Sequence, residues 1–274
     1  MNILYGLYRP TSSEVRVGGK PVSFRDPSDA IAMGIGMVHQ HFMLVDTISV
    51  LENIIVGTAQ KYGPVISFKE CRKKLEAIAA KAGLEIDLSA KMDALSVGEK
   101  QRVEILKALY RGAEIFIFDE PTAVLTPQEI RDFFKMVETF KNQGKTILFI
   151  SHKLGDVMSI SDMIVVMRAG KVAGQLRPED TDMAGLAALM VGRELEALPV
   201  VEPEPGEVLF AATGLTLLGE DKRKLLNDID FSIRGGTVIG VAGVDGNGQK
   251  ELAEVFAGTR KVSSGKITYL GQDV

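Results

Sequence analysis

A continuous apolar run, Ile115 to Phe118, ends at two consecutive carboxylates, Asp119 and Glu120. Because four successive apolar residues leave no polar face, this run predicts a strand buried on both sides, as in a parallel sheet. A second buried strand is predicted for Thr146 to Ile150, after a helix predicted for 127–141. Parallel strands that alternate with helices carry ligand-binding residues at their carboxyl ends. The chain is therefore expected to form an α/β domain with a site at that edge of the sheet.

The composition of the 274 residues excludes several classes of protein. Hydrophobic residues make up 46% and charged residues 25%, which is typical of a globular protein with a buried core. The formal net charge of −4 does not indicate a nucleic-acid surface, and the single cysteine, Cys71, excludes an intrachain disulfide. No apolar run approaches the roughly 20 residues that a membrane helix requires. Any membrane contact is therefore predicted to come through a partner.

The two carboxylates have a chemical and a structural interpretation. Asp119 is placed to hold Mg²⁺, directly or through water, and Glu120 to orient or polarise an attacking water. Alternatively, Asp119 caps a helix by accepting from free backbone amides. His152 follows the second strand, which predicts this histidine at the same edge as Glu120. Its imidazole can donate or accept a hydrogen bond near neutral pH, and a partly buried polar residue without a chemical role is the alternative.

Residues 95–99 read Leu-Ser-Val-Gly-Glu and precede a helix predicted for 100–109. Ser96 with Glu99 three residues later is a capping box, in which each side chain binds the other residue's backbone amide. A helix start with Gly98 also offers free amides and the positive end of the helix dipole, which suits a terminal phosphate. The two interpretations are compatible, so these three residues are candidates for phosphate binding.

His39, Gln40 and His41 lie at the end of a short strand predicted for Gly36 to His39. Two histidines this close could bind a metal. Alternate residues of a strand point to opposite faces, however, and no cysteine lies nearby. A metal site is not expected here.

Residues 243–250 read Gly-Val-Asp-Gly-Asn-Gly-Gln-Lys, between a strand predicted for Val238 to Ala242 and a helix. This is the setting of a phosphate-binding loop, and its G-x-x-x-x-G spacing is kept. Gln249 replaces the lysine of that loop, and Lys250 replaces the Ser or Thr that binds Mg²⁺. Backbone amides can still bind phosphate, while a plain strand-turn-helix corner is the alternative. The candidate residues are Gly243, Gly246, Gly248, Gln249 and Lys250.

The chain contains an internal repeat, in which residues 1–22 align without gaps on residues 253–274. Chance similarity over a short window is the alternative. The repeat predicts that the chain is a slice through a longer protein with two related domains. The identical pairs include Gly6 with Gly258, Ser12 with Ser264, Gly19 with Gly271 and Val22 with Val274.

Four motifs follow an order that resembles ATP-binding-cassette (ABC) ATPases: Gln40, Ser96 to Glu99, Asp119-Glu120 and His152. In that family they correspond to the Q-loop, the signature, the Walker B strand with its catalytic glutamate, and the switch histidine. Ala123 to Thr126 would be the D-loop. The resemblance covers essentially the whole chain. It implies an α/β, P-loop NTPase-like cassette with a parallel core sheet, an antiparallel β edge and a helical subdomain.

The resemblance also implies roles for individual residues. Glu120, His152 and Gln40 would be catalytic, and Asp119 and Gln40 would hold Mg²⁺ with ATP. The other residues implied to bind ATP are Ser96, Gly98, Glu99, Gly243, Gly246, Gly248, Gln249 and Lys250. The implied domains are a first ABC domain at 1–196 with a helical subdomain at about 50–93, a Pro- and Glu-rich linker at 197–206, and the start of a second ABC domain at 207–274.

Further details resemble the tandem ATPase subunits of simple-sugar and nucleoside importers: the signature LSVGE, the sequence DEPTAVLT and the degenerate second loop. His39 to Leu44 resembles the nucleoside branch. This likeness implies a peripheral ATPase on the cytoplasmic face of the membrane, partnered by integral-membrane permease subunits. An extracellular or periplasmic solute-binding protein would act indirectly, and no nucleic acid is expected. The alternatives are a soluble ABC ATPase outside transport and a non-catalytic nucleotide-binding fragment.

Such domains pair head to tail, so each ATP lies between the phosphate loop of one domain and the signature of the other. By this resemblance, the first phosphate loop is expected upstream of Met1 and the second signature beyond Val274. The chain as written is then expected to hydrolyse little or no ATP. The strand predicted for Val238 to Ala242 is expected, as one alternative, to dock into the first domain's sheet, as in a circular permutation.

Overall fold

The computed structural model describes residues 1–12, 14–39, 42–56, 67–193, 206–220, 222–243 and 246–274. The chain divides into two compact units, Met1–Leu195 and Glu196–Val274. The linker predicted at 197–206 lies outside the described residues except for Gly206. The assignment of the units to a first domain and the start of a second stays a prediction.

The first unit mixes short strands with helices. Its strands are β1 (Val15–Val17), β2 (Lys20–Val22), β3 (Ile35–Val38), β4 (Ile115–Asp119), β5 (Thr146–Ile150), β6 (Ile164–Arg168) and β7 (Lys171–Leu176). Its helices are α1 (Pro27–Ala32), α2 (Val50–Ile55), α3 (Phe68–Ala82), α4 (Val97–Tyr110), α5 (Pro127–Asn142), α6 (Leu154–Ile160) and α7 (Met183–Val191). Within the described ranges, none of the helices is both long and apolar enough to cross a membrane.

A three-stranded parallel sheet lies at the centre of this unit, in the order β3-β4-β5. In the middle strand, Phe118 pairs with Val38 on one side and with Phe149 on the other. Phe116 and Phe118 are both fully buried, and the ring of Phe116 also packs on Phe140 at 5.2 Å between centroids. Ile117, which points to the opposite face, is 1% exposed. The apolar run therefore forms a strand covered on both faces, which confirms the predicted parallel sheet.

The helices that flank the sheet follow from local sequence signals. Ser49, Ser96 and Thr126 each accept from the backbone N–H of a glutamate three residues later, and each glutamate accepts in return from the serine or threonine backbone. These three capping boxes start α2, α4 and α5. On α3, Cys71, Leu75, Ala79 and Ala82 form one buried face of the helix.

The second unit is an antiparallel sheet with one helix. Its elements are β8 (Val208–Leu218), β9 (Lys224–Arg234), α8 (Gln249–Phe256), β10 (Ser264–Tyr269) and β11 (Gln272–Asp273). The strands pair in the order β11-β10-β8-β9. The side chains of β9 alternate, since Ile229, Phe231 and Ile233 are half-buried between exposed Asp230 and Ser232. The helix packs its Phe256 ring against aromatic rings of this sheet.

The strand predicted for Val238 to Ala242 is wrong, because these residues adopt no regular structure. Val238 is 99% exposed, Ile239 45% and Val241 59%. A buried parallel strand needs neighbours that satisfy its backbone groups, and the strands described in the second unit are all antiparallel to one another. The segment therefore has no pairing partner there. It forms no strand that could extend β3-β4-β5, so the docking expectation is wrong as well.

The internal repeat is visible in two hairpins of matching register. Val17 pairs with Lys20 in β1-β2, and the equivalent pair in β10-β11 is Tyr269 with Gln272. Each turn uses two successive residues at positive φ, which is the geometry of the tight two-residue hairpin turn. The φ values are 57° at Gly18, 78° at Gly19, 51° at Leu270 and 76° at Gly271. The repeat found in the sequence is therefore also present in the backbone of these two hairpins.

Candidate active site

The ends of β4 and β5 bring Glu120 and His152 into contact. Asp119 is in register with Ile150, and the backbone N–H of Glu120 donates to the carbonyl of Ile150 at 3.0 Å. This alignment sets Nδ1 of His152 2.8 Å from Oε1 of Glu120. The Glu120 side chain is 17% exposed and that of His152 70% exposed, so the carboxylate is sheltered while the ring reaches solvent. The predicted common edge of the sheet is thus formed.

Glu120 has two features that are typical of residues in catalytic sites. Its φ is 51°, in the left-handed region that costs a non-glycine residue of order 1 kcal/mol or more. Its second oxygen, Oε2, is buried and has no hydrogen-bond partner in the part of the chain that is described. A buried carboxylate oxygen without a donor costs free energy unless a water or ligand supplies one. The site therefore fits a bound water that donates to Oε2.

The turn that follows Glu120 is held by side chains from α4, from α6 and from Lys153, which immediately precedes α6. The carbonyl of Pro121 accepts from Nε2 of Gln101 on α4 at 3.0 Å. Thr122 is fully buried, and its hydroxyl donates to Oδ2 of Asp156 on α6 at 2.6 Å. Nζ of Lys153 donates to the carbonyl of Thr122, also at 2.6 Å. These contacts fix the backbone that carries Glu120.

The proposed ligands for Mg²⁺ are only partly within the described chain. Asp119 ends β4 half-buried, immediately before Glu120, whereas Gln40 and His41 lie outside the described residues. His39 packs edge-on against the ring of Tyr5, with 5.6 Å between centroids. In the described ranges, His, Cys, Asp and Glu side chains form no group of three or more that could hold a metal. A single carboxylate still suits Mg²⁺, which is often bound by one or two carboxylates together with substrate phosphates.

The signature segment forms the predicted capping box. Glu99 Oε2 accepts from the Ser96 backbone N–H at 2.8 Å, and the Ser96 hydroxyl accepts from the Glu99 N–H at 3.3 Å. The backbone bond from Ser96 lowers the pKa of the Glu99 carboxyl below its usual value. Gly98 is buried, and a Cβ at this position would overlap the carboxylate of Glu129 at the start of α5. Phosphate binding by this segment stays a prediction.

The glycine-rich loop of the second unit is partly filled by its own side chain. A Cβ at Gly243 would overlap the amide of Gln249, because that side chain folds back across the loop. Gly248 precedes α8 with φ of 92° and lies close to the carbonyl of Leu225. The Lys250 side chain is 82% exposed, with Nζ 3.9 Å from a Glu254 carboxylate oxygen. Gly246 also has a positive φ, and Val244 and Asp245 lie outside the described residues.

The sequence of this chain is similar to those of known ABC transporter proteins. The family model described as ABC transporter matches residues 1–123. Residues 1–123 therefore carry an ABC transporter domain. Over all of its length it is 45% identical to the guanosine import ATP-binding protein NupO of Bacillus subtilis (strain 168), covering 54% of that protein. It is also 39% identical to the glucose import ATP-binding protein TsgD13 of Haloferax volcanii, covering 100% of this chain and 55% of the other.

A solved structure gives the same fold for the ABC domain. The dimeric ATP-binding cassette MJ0796, in a post-hydrolysis state with ADP and phosphate, has a TM-score of 0.54 and 26% sequence identity. The match covers 65% of this chain and 78% of that one. The predicted α/β cassette fold is thus confirmed. The chain spans about half the length of the curated relatives that it matches.

Three residues that hold the turn of the ABC domain were not found from the sequence: Gln101, Lys153 and Asp156. Lys153 and Asp156 follow His152 closely, but their spacing carries no sign that they bind Thr122. The position of Gln101 in the sequence does indicate such a role. It lies on the buried face of α4, four residues before Ile105, and a glutamine on an apolar stripe needs a hydrogen-bond partner.

Proposed function

We propose that this chain supplies ATP-binding and ATP-hydrolysing parts of a membrane importer, with Glu120 activating the attacking water. The observation that carries the proposal is the sheltered Glu120 carboxylate, which contacts His152 through one oxygen and leaves the other without a described partner. An acceptor held in this way can orient a water for attack on a phosphoryl group. The relatives' names, both of import ATP-binding proteins, support the same conclusion.

Each residue at the edge of the sheet has a distinct role in this proposal. Glu120 accepts a proton from, or orients, the attacking water. His152 holds Oε1 of Glu120 through Nδ1 and presents the rest of its exposed ring to the phosphate side. Asp119, with Gln40, would hold Mg²⁺, which neutralises charge on the phosphates when bound. Ser96, Gly98 and Glu99 would contact a phosphate through the start of α4.

The second unit is proposed to begin a second ABC domain, on the strength of the repeated hairpin register. Its loop, with Gly243, Gly246 and Gly248, would bind phosphate through backbone amides. Gln249 and Lys250 would replace the usual lysine and Mg²⁺-binding hydroxyl, which favours nucleotide binding without efficient hydrolysis at this loop.

The proposed partners are integral-membrane permease subunits, with the ATPase on the cytoplasmic face of the membrane. A solute-binding protein outside the membrane would deliver the solute, and no nucleic acid takes part. The solute is proposed to be a nucleoside or a simple sugar, since one relative is named for guanosine import and another for glucose import.

The test of hydrolysis compares the two glutamates that flank β4. In the full-length product of the gene, Glu120→Gln is expected to lower ATP hydrolysis about 100-fold or more while nucleotide binding persists. Glu114→Gln is the matched control, because Glu114 lies just before β4 and pairs with Lys145 with its side chain 70% exposed. Equal rates in the wild type and the Glu120→Gln variant would refute the proposed role.

The test of import uses cells that lack the gene and carry it on a plasmid. Uptake of labelled guanosine or glucose is expected to return with the wild-type gene and not with Glu120→Gln. Solubilised membranes should yield the protein together with a permease. Hydrolysis that depends on Glu120, in a protein without a membrane partner, would instead favour a soluble ATPase.

A further inference from the structure

Gln101 stands out among the buried polar residues of the first unit. It is 4% exposed, on the second turn of α4, where it shares the buried helix face with Gly98, Glu104 and Ile105. Its Nε2 donates to the carbonyl of Pro121 at 3.0 Å, a residue 20 positions later in the chain. Burying an amide is unfavourable unless it is bonded, so this contact orients both the side chain and the carbonyl that it meets.

The carbonyl of Pro121 is a sensitive point of the turn. Pro121 has no backbone N–H, so its carbonyl is the one main-chain group through which it can be held. The residue before it, Glu120, has φ of 51°, and its own N–H and carbonyl bond to Ile150 and Ala123. A strained conformation persists when its surroundings over-determine it. The bond from Gln101 is one of the contacts that do so.

A second contact joins α4 to Glu129, at the far end of the segment 120–129. Gly98 lies so close to Glu129 that a Cβ would overlap the carboxylate. Oε2 of Glu129 in turn accepts from the backbone and hydroxyl of Thr126, both at 2.9 Å. Helix α4 therefore contacts the chain just after Glu120 and again just after 123–126. A shift of α4 changes both ends of the segment together.

We propose that Gln101 is a positioning residue that ties the signature helix to the turn of Glu120, so that the placement of α4 sets the alignment of the carboxylate. This inference rests on the proposed function, in which Glu120 activates water. Gln101 acts through the carbonyl of Pro121. Nucleotide binding does not require it, but the rate of hydrolysis does.

The test is a double-mutant cycle in the full-length protein, measured as single-turnover hydrolysis of labelled ATP. Gln101→Leu removes the donor at similar size, and we expect the rate constant to fall about 10-fold while the ATP concentration for half-saturation stays the same. In a Glu120→Gln background, the same substitution should have no further effect, because the group that it positions is gone. Gln128→Leu, which changes an exposed glutamine on α5, is the control.

Gln101→Glu keeps the length of the side chain and adds a pH readout. Its buried carboxyl should have a raised pKa, and only the protonated form can donate to Pro121. We expect its rate, relative to wild type, to recover as the pH falls from about 8 to about 6. This variant also decides the question if Gln101→Leu does not fold.

Each outcome of the cycle has a definite meaning. A tenfold loss of rate that recurs undiminished in the Glu120→Gln background would overturn the inference, since Gln101 would then stabilise the fold in general. An unchanged rate in Gln101→Leu, or a Gln101→Glu rate with no pH-dependent recovery, would overturn it too. If Glu120→Gln by itself leaves the rate of hydrolysis unchanged, the proposed function of Glu120 is refuted, whatever the result for Gln101.

Discussion

The turn after β4 in the first unit and the glycine-rich loop of the second unit invite comparison, because each follows an apolar segment. The segment before the turn, Ile115 to Phe118, is a central strand in which Phe116 is fully buried. The segment before the loop, Val238 to Ala242, forms no strand, and Val238 is 99% exposed. Apolar sequence alone therefore does not make a strand. Parallel neighbours on both sides, which satisfy the backbone, make the difference.

The two regions also differ in how their polar groups are held. In the first unit, side chains from α4 and α6 bind the carbonyls and the hydroxyl of the turn that carries Glu120. In the second unit, Gln249 folds back over Gly243 within its own loop. A site supported from outside keeps its geometry before a ligand arrives, whereas a loop that fills itself must rearrange.

The largest expected effect tests the two apolar segments. Phe116→Ala should lower the free energy of unfolding by about 3–5 kcal/mol, because it leaves a cavity beside Phe118 and Phe140. Val238→Ala should change it by less than about 0.5 kcal/mol, since the side chain is already in solvent. Denaturant unfolding followed by circular dichroism gives both values. A large loss for Val238→Ala would mean that this segment is a buried strand in solution, and the comparison would break.

A smaller effect is expected from the hydroxyl that anchors the turn. Thr122→Val removes the donor to Asp156 inside a buried site, which should cost about 1–3 kcal/mol of stability. Thr237→Val is the matched control, because the Thr237 hydroxyl donates to the Arg234 carbonyl in an exposed turn. That control should change stability by less than about 0.5 kcal/mol. Equal losses for the two variants would remove the contrast between a supported turn and a free one.

The smallest effect concerns the contact between α4 and α5. Gly98→Ala should displace the Glu129 carboxylate and weaken the capping box at Thr126, for a loss of about 1 kcal/mol. In a Glu129→Ala background the overlap is gone, and the same change should be neutral or slightly stabilising, because alanine restricts the unfolded chain. The measurement is the denaturant midpoint of all four proteins. Additive losses would show that Glu129 is not what excludes a side chain at position 98.

Much of the fold was predictable because its signals are local or periodic. The apolar runs predicted β4 and β5, and Ser96 with Glu99 three residues later predicted the start of α4. The shared edge of Glu120 and His152 follows from parallel strands alone. The role of Gln40 stays a prediction, because that residue lies outside the described chain.

The sequence by itself determined the elements whose cause lies within a few residues: capping boxes, the stripe of α3 and the two repeated hairpins. Only the tertiary structure decided which distant groups meet, such as Gln101 with Pro121, and that Val238 to Ala242 does not become a strand. The physical reason is that a side chain's own pattern encodes its preference for burial or for a cap. The partner that satisfies a buried amide or a strand's backbone depends on how separate elements pack.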